Sequence, residues 1–441
     1  CDCARPAHGT RSADVALTTV DQTHRRSMES VNSLASERYP VTHLSPARRR
    51  LALLSLALGG FGIGATEFVA MGLLPNLAAE LLPGLYASSP EEGIAQAGWL
   101  ISAYALGVVV GAPTIAAATA HLPRKRLLLW LLAAFTIGTI ASALLPSFGP
   151  VLVARFVAGL PHGAYFGIAS IVAADIMGPG NRGKGVALVL SGLTIANVIG
   201  VPSITWLGQV AGWRVAYLVV ALIFAATFVA VLAAVPVQPG DDAASFRREL
   251  TAFRRPLLWM TIGLAAIGFG GFFAVYSYIA PVVTEVAGFS EGVVPWVLVG
   301  IGIGMTIGNM LGGWASDIDL RRTLHIGFGV LIVSLLGFAL TAHTIVGLVV
   351  FSALVGLASS AISPAVQSRL MDVAGEARSL AAALNHSALN IGNSLGAFIG
   401  GATIAAGLGY LSPAWAGLVL ALIGVAIAAV SFRMDPRRLR S

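Results

Sequence analysis

The stretch Gly60–Pro75, GFGIGATEFVAMGLLP, lies inside an apolar run from Leu51 to Leu82. About 20 apolar residues suffice for a helix to cross a bilayer, so this run is read as a membrane span. Glu67 sits near its middle. A carboxyl group there is costly, by roughly 2.5–3.5 kcal/mol for Asp at a helix centre on an insertion scale. Such a residue faces a protein interior or a wet cavity and is a functional candidate by default. Two readings stand for it: a working acid, or an acid neutralised by a neighbour and kept for helix packing.

Outward from this stretch the chain stays apolar. Of its 441 residues 56% are hydrophobic and 11% charged, whereas soluble domains carry about a quarter charged residues. The sequence is that of a polytopic membrane protein. Lys and Arg outnumber Asp and Glu by 27 to 20, which could suggest a nucleic-acid partner. These bases cluster between apolar runs, however, where they act as topology signals. The two cysteines, Cys1 and Cys3, lie in the polar N-terminal tail and build neither a disulfide framework nor a metal site. Residues 1–46 hold no apolar signal-peptide core and are expected to be a disordered tail.

Apolar runs place twelve spans, near 51–74, 94–117, 127–145, 151–174, 185–207, 214–235, 257–283, 294–316, 323–342, 345–369, 379–404 and 413–432. The break at 236–256 holds Pro, Gly and four Arg. The expected organisation is a six-helix bundle over 47–237, a linker over 238–256, a second bundle over 257–433 and a tail over 434–441. Basic residues (Arg48–Arg50, Arg124–Arg126, Arg182, Lys184, Arg247–Arg255, Arg321, Arg322, Arg369, Arg378, Arg433–Arg440) fall on one side. Glu80, Glu91, Glu92, Glu285 and Glu291 fall on the other, with Arg214 the only nearby base. Lys and Arg stay cytoplasmic, which puts both termini inside.

The halves repeat each other. Trp99, Gly107, Gly111, Arg124 and Lys125 return 197 residues later as Trp296, Gly304, Gly308, Arg321 and Arg322, and Gly159 and Asp175 as Gly356 and Asp372. Ser191, Leu193, Ile195, Asn197 and Gly200 return as Ser387, Leu389, Ile391, Asn393 and Gly396 at offset 196. Parallel six-helix repeats with a site between them are a secondary-transporter architecture. Spans three, six, nine and twelve hold no ionisable residue in their cores and read as lipid-facing. Glu67, Arg155, His162, Asn197, His386, Asn390 and Asn393 lie in spans one, four, five and eleven, which should surround the cavity.

Residues 65–75 (ATEFVAMGLLP), 122–126 (LPRKR), 154–167 (ARFVAGLPHGAYFG), 196–214 (ANVIGVPSITWLGQVAGWR) and 383–397 (ALNHSALNIGNSLGA) carry a resemblance. Over roughly residues 47–433 the chain resembles the major facilitator superfamily. Within it, the chain is similar to the twelve-spanner drug:proton antiporters, in the branch of arabinose-efflux-like and chloramphenicol-resistance-type exporters. The resemblance implies an all-α fold of two pseudo-symmetric six-helix bundles. It also implies proton-coupled efflux of small organic molecules or drugs by alternating access, with export of a sugar or related metabolite as the alternative. It places Arg155 at the span-four arginine linked to proton coupling; the competing reading is an Arg snorkelling to the outer surface. Pro202, after Gly200, falls at the span-five gating motif. The loop signature implies a locking role for Asp317 with Arg321 and Arg322. In the first half Ala116 and Ala120 replace its Gly and Asp, which leaves that role open there.

Glu67 is read as the main exchangeable proton site, tuned by Arg155, against the alternative that it binds substrate while His162 or His386 carries the proton. Candidates for substrate contact are His162, Tyr165, Asn197, Tyr276, His386, Asn390 and Asn393. For Asn197 and Asn393 interhelical hydrogen bonding is an equal alternative. Residues 178–185 (GPGNRGKG) approach a phosphate-binding loop but end in Gly185 where a hydroxyl is required. There is no His-Glu-x-x-His metal spacing and no Gly-x-Ser-x-Gly nucleophile elbow. The expected protein is a monomeric transporter in a prokaryotic plasma membrane, not an enzyme. Its expected partners are a small molecule, protons and lipid, with no cofactor, metal or nucleic acid.

Overall fold

The computed structural model describes residues 44–119, 121–178, 180–240, 254–374 and 378–434. The expected N-terminal tail with Cys1 and Cys3, most of the linker, Ala120 and the C-terminal tail lie outside the described residues. Helix is the required answer in lipid, where each backbone group must be satisfied within its own segment. The spanning helices are α1 (Pro46–Gly72), α2 (Trp99–Thr119), α3 (Arg124–Leu144), α4 (Phe148–Gly159), α5 (His162–Met177), α6 (Arg182–Ile195), α7 (Val201–Ala211) and α8 (Trp213–Ala234). After the linker come α9 (Pro256–Ser277), α10 (Val294–Thr341), α11 (Ile345–Ala374), α12 (Arg378–Thr403) and α13 (Ser412–Arg433). α4 and α5 form one crossing broken at Pro161, which brings no backbone N–H, and α6 and α7 form another, joined by a π-helical turn over Ala196–Gly200.

Among the described residues, eleven helices are long and apolar enough to cross a membrane. One of them, Glu291–Thr341, has 51 residues. At 1.5 Å per residue its length is about two and a half times a hydrocarbon core of about 30 Å. Backbone at Asp319 leaves the helical region (φ −152°, ψ 94°), so α10 is two crossings joined end to end. Twelve crossings result, and spans eight and nine, expected as separate helices, share one run.

The repeat reappears as contacts. A Cβ on Gly107 would strike the Phe156 carbonyl, one on Gly111 that of Leu160, and one on Gly159 that of Tyr104. In the second half Gly304 meets Ala353, Gly308 meets Leu357 and Gly356 meets Ile301. Every pair is displaced by 197 residues. Close backbone approach across small residues is how helices pack when lipid removes a hydrophobic driving force. The first and seventh crossings are the most enclosed. By contrast α3, α8, the second part of α10 and α13 expose Ile137, Leu222, Val333 and Val419.

The halves meet along α2 against α12 and α7 with its π turn against α10. Near the acidic ends Gln209 Nε2 donates to the Glu291 carbonyl (2.9 Å) and Ser102 Oγ to the Ser394 carbonyl (3.2 Å). Gly302 of α10 lies directly on the Asn197 carbonyl. Contacts continue inward to the layer of Val109 and His386. The polar contacts described between the halves lie toward the acidic ends and the centre.

Candidate functional site

Four glycines, Gly59, Gly60, Gly62 and Gly64, make α1 thin on the faces that meet Tyr165, the Val189 carbonyl, Phe224 and Ala196. The helix is thereby gripped by α5, α6 and α8, and Glu67, five residues before the end of α1, is held inside the bundle with 5% of its surface exposed. Glu67 Oε1 accepts a hydrogen bond from Asn393 Nδ2 at 3.1 Å. Asn393 belongs to α12 and is fully buried. One side-chain hydrogen bond thus joins the carboxyl group of the first half to an amide of the second.

The other oxygen of Glu67 lies 4.0 Å from His162 Nδ1, beyond hydrogen-bond range. That nitrogen is engaged by the Tyr104 hydroxyl at 3.2 Å. His162 occupies the first position after the break at Pro161, where α5 has freedom to aim it inward. Its ring meets that of His386 edge-on at 5.9 Å, and His386 in turn stacks on Phe166, centroids 5.5 Å apart and planes 2° apart. The two histidines, one from each half, therefore lie side by side, with His162 the nearer to the carboxyl group.

Arg155 is 1% exposed. It does not snorkel to a surface. Its Nη1 donates to the Thr66 carbonyl (3.0 Å) and to Thr66 Oγ1 (3.3 Å). The guanidinium lies over the rings of Tyr104 (4.4 Å) and Tyr217 (5.5 Å), a cation–π arrangement. Arg155 thus grips the residue next to Glu67 rather than the carboxylate itself.

The remaining candidates divide. Tyr276 is buried on α9 against Phe68 (5.5 Å) and Phe272 (5.1 Å), one residue along α1 from Glu67. Asn390 Nδ2 donates to the His386 carbonyl (3.1 Å) on its own helix, leaving Oδ1 buried without a partner. Asn393 Oδ1 is likewise unpartnered. Asn197 is buried in the π turn, its carbonyl under Gly302 and its Oδ1 unpartnered. Pro202 is buried at the start of α7, beyond that turn. Tyr165 is placed apart: its hydroxyl donates to the Leu56 carbonyl (2.9 Å) and its ring packs on Phe135, inside the first half.

The loop residues differ from expectation. Asp317 is exposed and forms no ion pair among the described residues. Asp319 is the acid engaged there, with Oδ1 accepting from the Arg322 backbone N–H (2.9 Å) and Oδ2 paired to Arg322 Nε (3.1 Å). It acts as the cap where α10 restarts. Arg321 lies over Phe432 at 5.7 Å. In the first half Arg124 pairs with Asp175 at 2.6 Å, with Arg182 4.0 Å from the same carboxylate. Sequence reasoning missed Tyr104, Thr66, Phe166 and Asp319. The one available signal was the extra acid two residues after Asp317.

A pattern described as Major Facilitator Superfamily matches residues 56–344 and 275–441. "Inner membrane transport protein YdhP" of Escherichia coli (strain K12) is 38% identical over 384 residues, 87% of this chain and 96% of that protein. "Putative transporter AraJ" of the same strain is 36% identical, covering 81% of this chain and 89% of that one. "Chloramphenicol resistance protein" of Streptomyces lividans is 32% identical, covering 86% and 95%. Among solved structures, a bacterial homologue of the human lysosomal transporter Spinster, inward-facing and unoccupied, superposes with a TM-score of 0.69 at 17% identity, covering 88% and 98%. With the twelve crossings, the repeated contacts and these matches, the chain belongs to the Major Facilitator Superfamily of membrane transporters.

Proposed function

We propose that the protein is a proton-coupled exporter of small organic molecules in the inner membrane of a prokaryote. It would work by alternating access, with both termini in the cytoplasm. The observation that carries this reading is Glu67, a carboxyl group buried inside a membrane-spanning bundle and bonded to the opposite half through Asn393. An exchanger needs one site that proton and substrate occupy in turn, exposed first to one side and then to the other. Glu67 lies on the interface along which halves of this architecture rock. His162 lies 4.0 Å from it with His386 behind, and Tyr276 and Phe68 supply ring faces of the kind that line sites for drug-sized molecules. Basic residues gathered at one end support the orientation, and the Streptomyces lividans relative supports a drug-like substrate.

Purified protein in liposomes tests the reading, with chloramphenicol as the first substrate tried. Under an imposed pH gradient the wild type accumulates substrate, whereas Glu67→Gln retains exchange without accumulation. Accumulation by Glu67→Gln against the substrate gradient removes Glu67 as the obligatory proton carrier.

A further inference from the structure

Helix α12 is where the second half touches the centre of the first. Ser387 Oγ donates to the Val109 carbonyl (3.4 Å), and the Ser394 carbonyl accepts from Ser102 Oγ (3.2 Å). Between them, and next to Ser394, Asn393 Nδ2 donates to Glu67 Oε1 (3.1 Å). The two serine contacts involve backbone carbonyls, so neither changes with protonation. The Asn393 contact ends on an ionisable acceptor. A hydrogen bond to a carboxylate is roughly twice as strong as one between neutral groups, so uptake of a proton by Glu67 weakens this one link and leaves the others intact.

We propose that Asn393 is a positioning residue that makes the meeting of the two halves depend on whether Glu67 carries a proton. This rests on the reading of Glu67 as the exchangeable site. The bridged form is the one described here, with the halves packed at their acidic ends and their polar contacts gathered there and at the centre. An ionised Glu67 holds that form, and a protonated one releases it. The alternative role, a packing amide between helices, is disfavoured by the geometry of the side chain. Its donor is spent across the interface, and its Oδ1 has no partner in a fully buried position. A packing amide would use both ends.

Other ionisable or charged groups face Glu67 from the surrounding helices: Tyr104 on α2, Arg155 on α4, His162 on α5, Tyr276 on α9 and His386 on α12, with Tyr217 of α8 behind Arg155. The experiment must separate these from the Glu67–Asn393 pair. Full-length protein in lipid nanodiscs, with Cys1 and Cys3 changed to Ser, is spin-labelled at Lys184→Cys and Ile318→Cys, exposed positions at the basic ends of opposite halves. Distances are then measured across a pH series. In the wild type the long-distance population grows as pH rises. Asn393→Leu loses this dependence. Asn393→Asp, which preserves shape, reverses it, because its carboxyl group donates only when protonated. Glu67→Gln also loses the dependence.

If Glu67→Gln loses the profile while Asn393→Leu keeps it, or Asn393→Asp follows the wild type, the role of Asn393 is overturned and that of Glu67 survives. A wild-type profile in Glu67→Gln overturns both.

Discussion

The two halves share a skeleton and differ in charge. At offset 197 the backbone contacts of Gly107, Gly111 and Gly159 recur at Gly304, Gly308 and Gly356. Asn197 and Asn393 also match, at offset 196, but the residues around Glu67 in the first half do not recur. Tyr104, Arg155 and His162 correspond to Ile301, Ser352 and Ser359. The first half buries a cation and a carboxyl group, and the second answers with the neutral amides Asn390 and Asn393, His386 and an aromatic wall. The basic ends differ in the same direction: Arg124 pairs with Asp175, while its counterpart Arg321 rests on Phe432 and Asp372 is exposed. Duplication preserved what helix packing requires and left side-chain chemistry free to diverge. Buried charge is costly, and one half bearing it is sufficient when the other half contacts it.

The comparison breaks first if the skeleton is not shared. Gly111→Leu and Gly308→Leu each drive a side chain into a backbone carbonyl that has no soft end to yield. Each is expected to cost about 3 kcal/mol or more, the upper range for overpacking. Thermal unfolding in detergent checks this, and a large loss in only one half would refute structural equivalence. Next in size is the charge asymmetry. Arg155→Ala removes the grip on Thr66 and two ring contacts, and proton-driven uptake is expected to fall at least about 100-fold, some 2.7 kcal/mol. Ser352→Ala, at the corresponding place, should change uptake less than about twofold. Equal losses would mean that both halves contribute alike.

The smallest effect lies at the basic ends. Arg124 and Asp175 are partly exposed, with side-chain accessibilities of 23% and 32%, so a double-mutant cycle should give a coupling of about 0.5–1 kcal/mol that weakens with salt. The same cycle on Arg321 and Asp372 should give a coupling near zero. A coupling of equal size there would show that the two ends are alike.

Much of this was legible in the sequence for a physical reason. Spans, repeat and Glu67 follow from lengths of apolar residues and from the cost of charge in lipid, which are local properties. The contact of Glu67 with Asn393 was not legible, since it joins residues 326 apart and depends on how α1 and α12 face each other. Tyr104 went unmarked because an aromatic in an apolar span reads as packing until its hydroxyl is found on His162. The capping role of Asp319 was not legible either, because it depends on where the backbone of the long helix breaks. Tyr165 shared a motif with His162, yet its hydroxyl reaches the Leu56 carbonyl inside the first half, a contact between residues 109 apart.

Arg155 meets no carboxylate among the described residues and is held by ring faces and a carbonyl. An arginine side chain stays charged in any protein environment. The centre of the transporter therefore carries a permanent positive charge that Glu67 alone balances when ionised. On the proposed cycle, a proton arriving at Glu67 leaves the centre with a net charge of plus one, and the membrane voltage then acts on it with about 2.3 kcal/mol per 100 mV. One proton exchanged for one uncharged substrate would carry current and run on voltage as well as on acidity. One proton exchanged for a singly charged cation would be electrically silent.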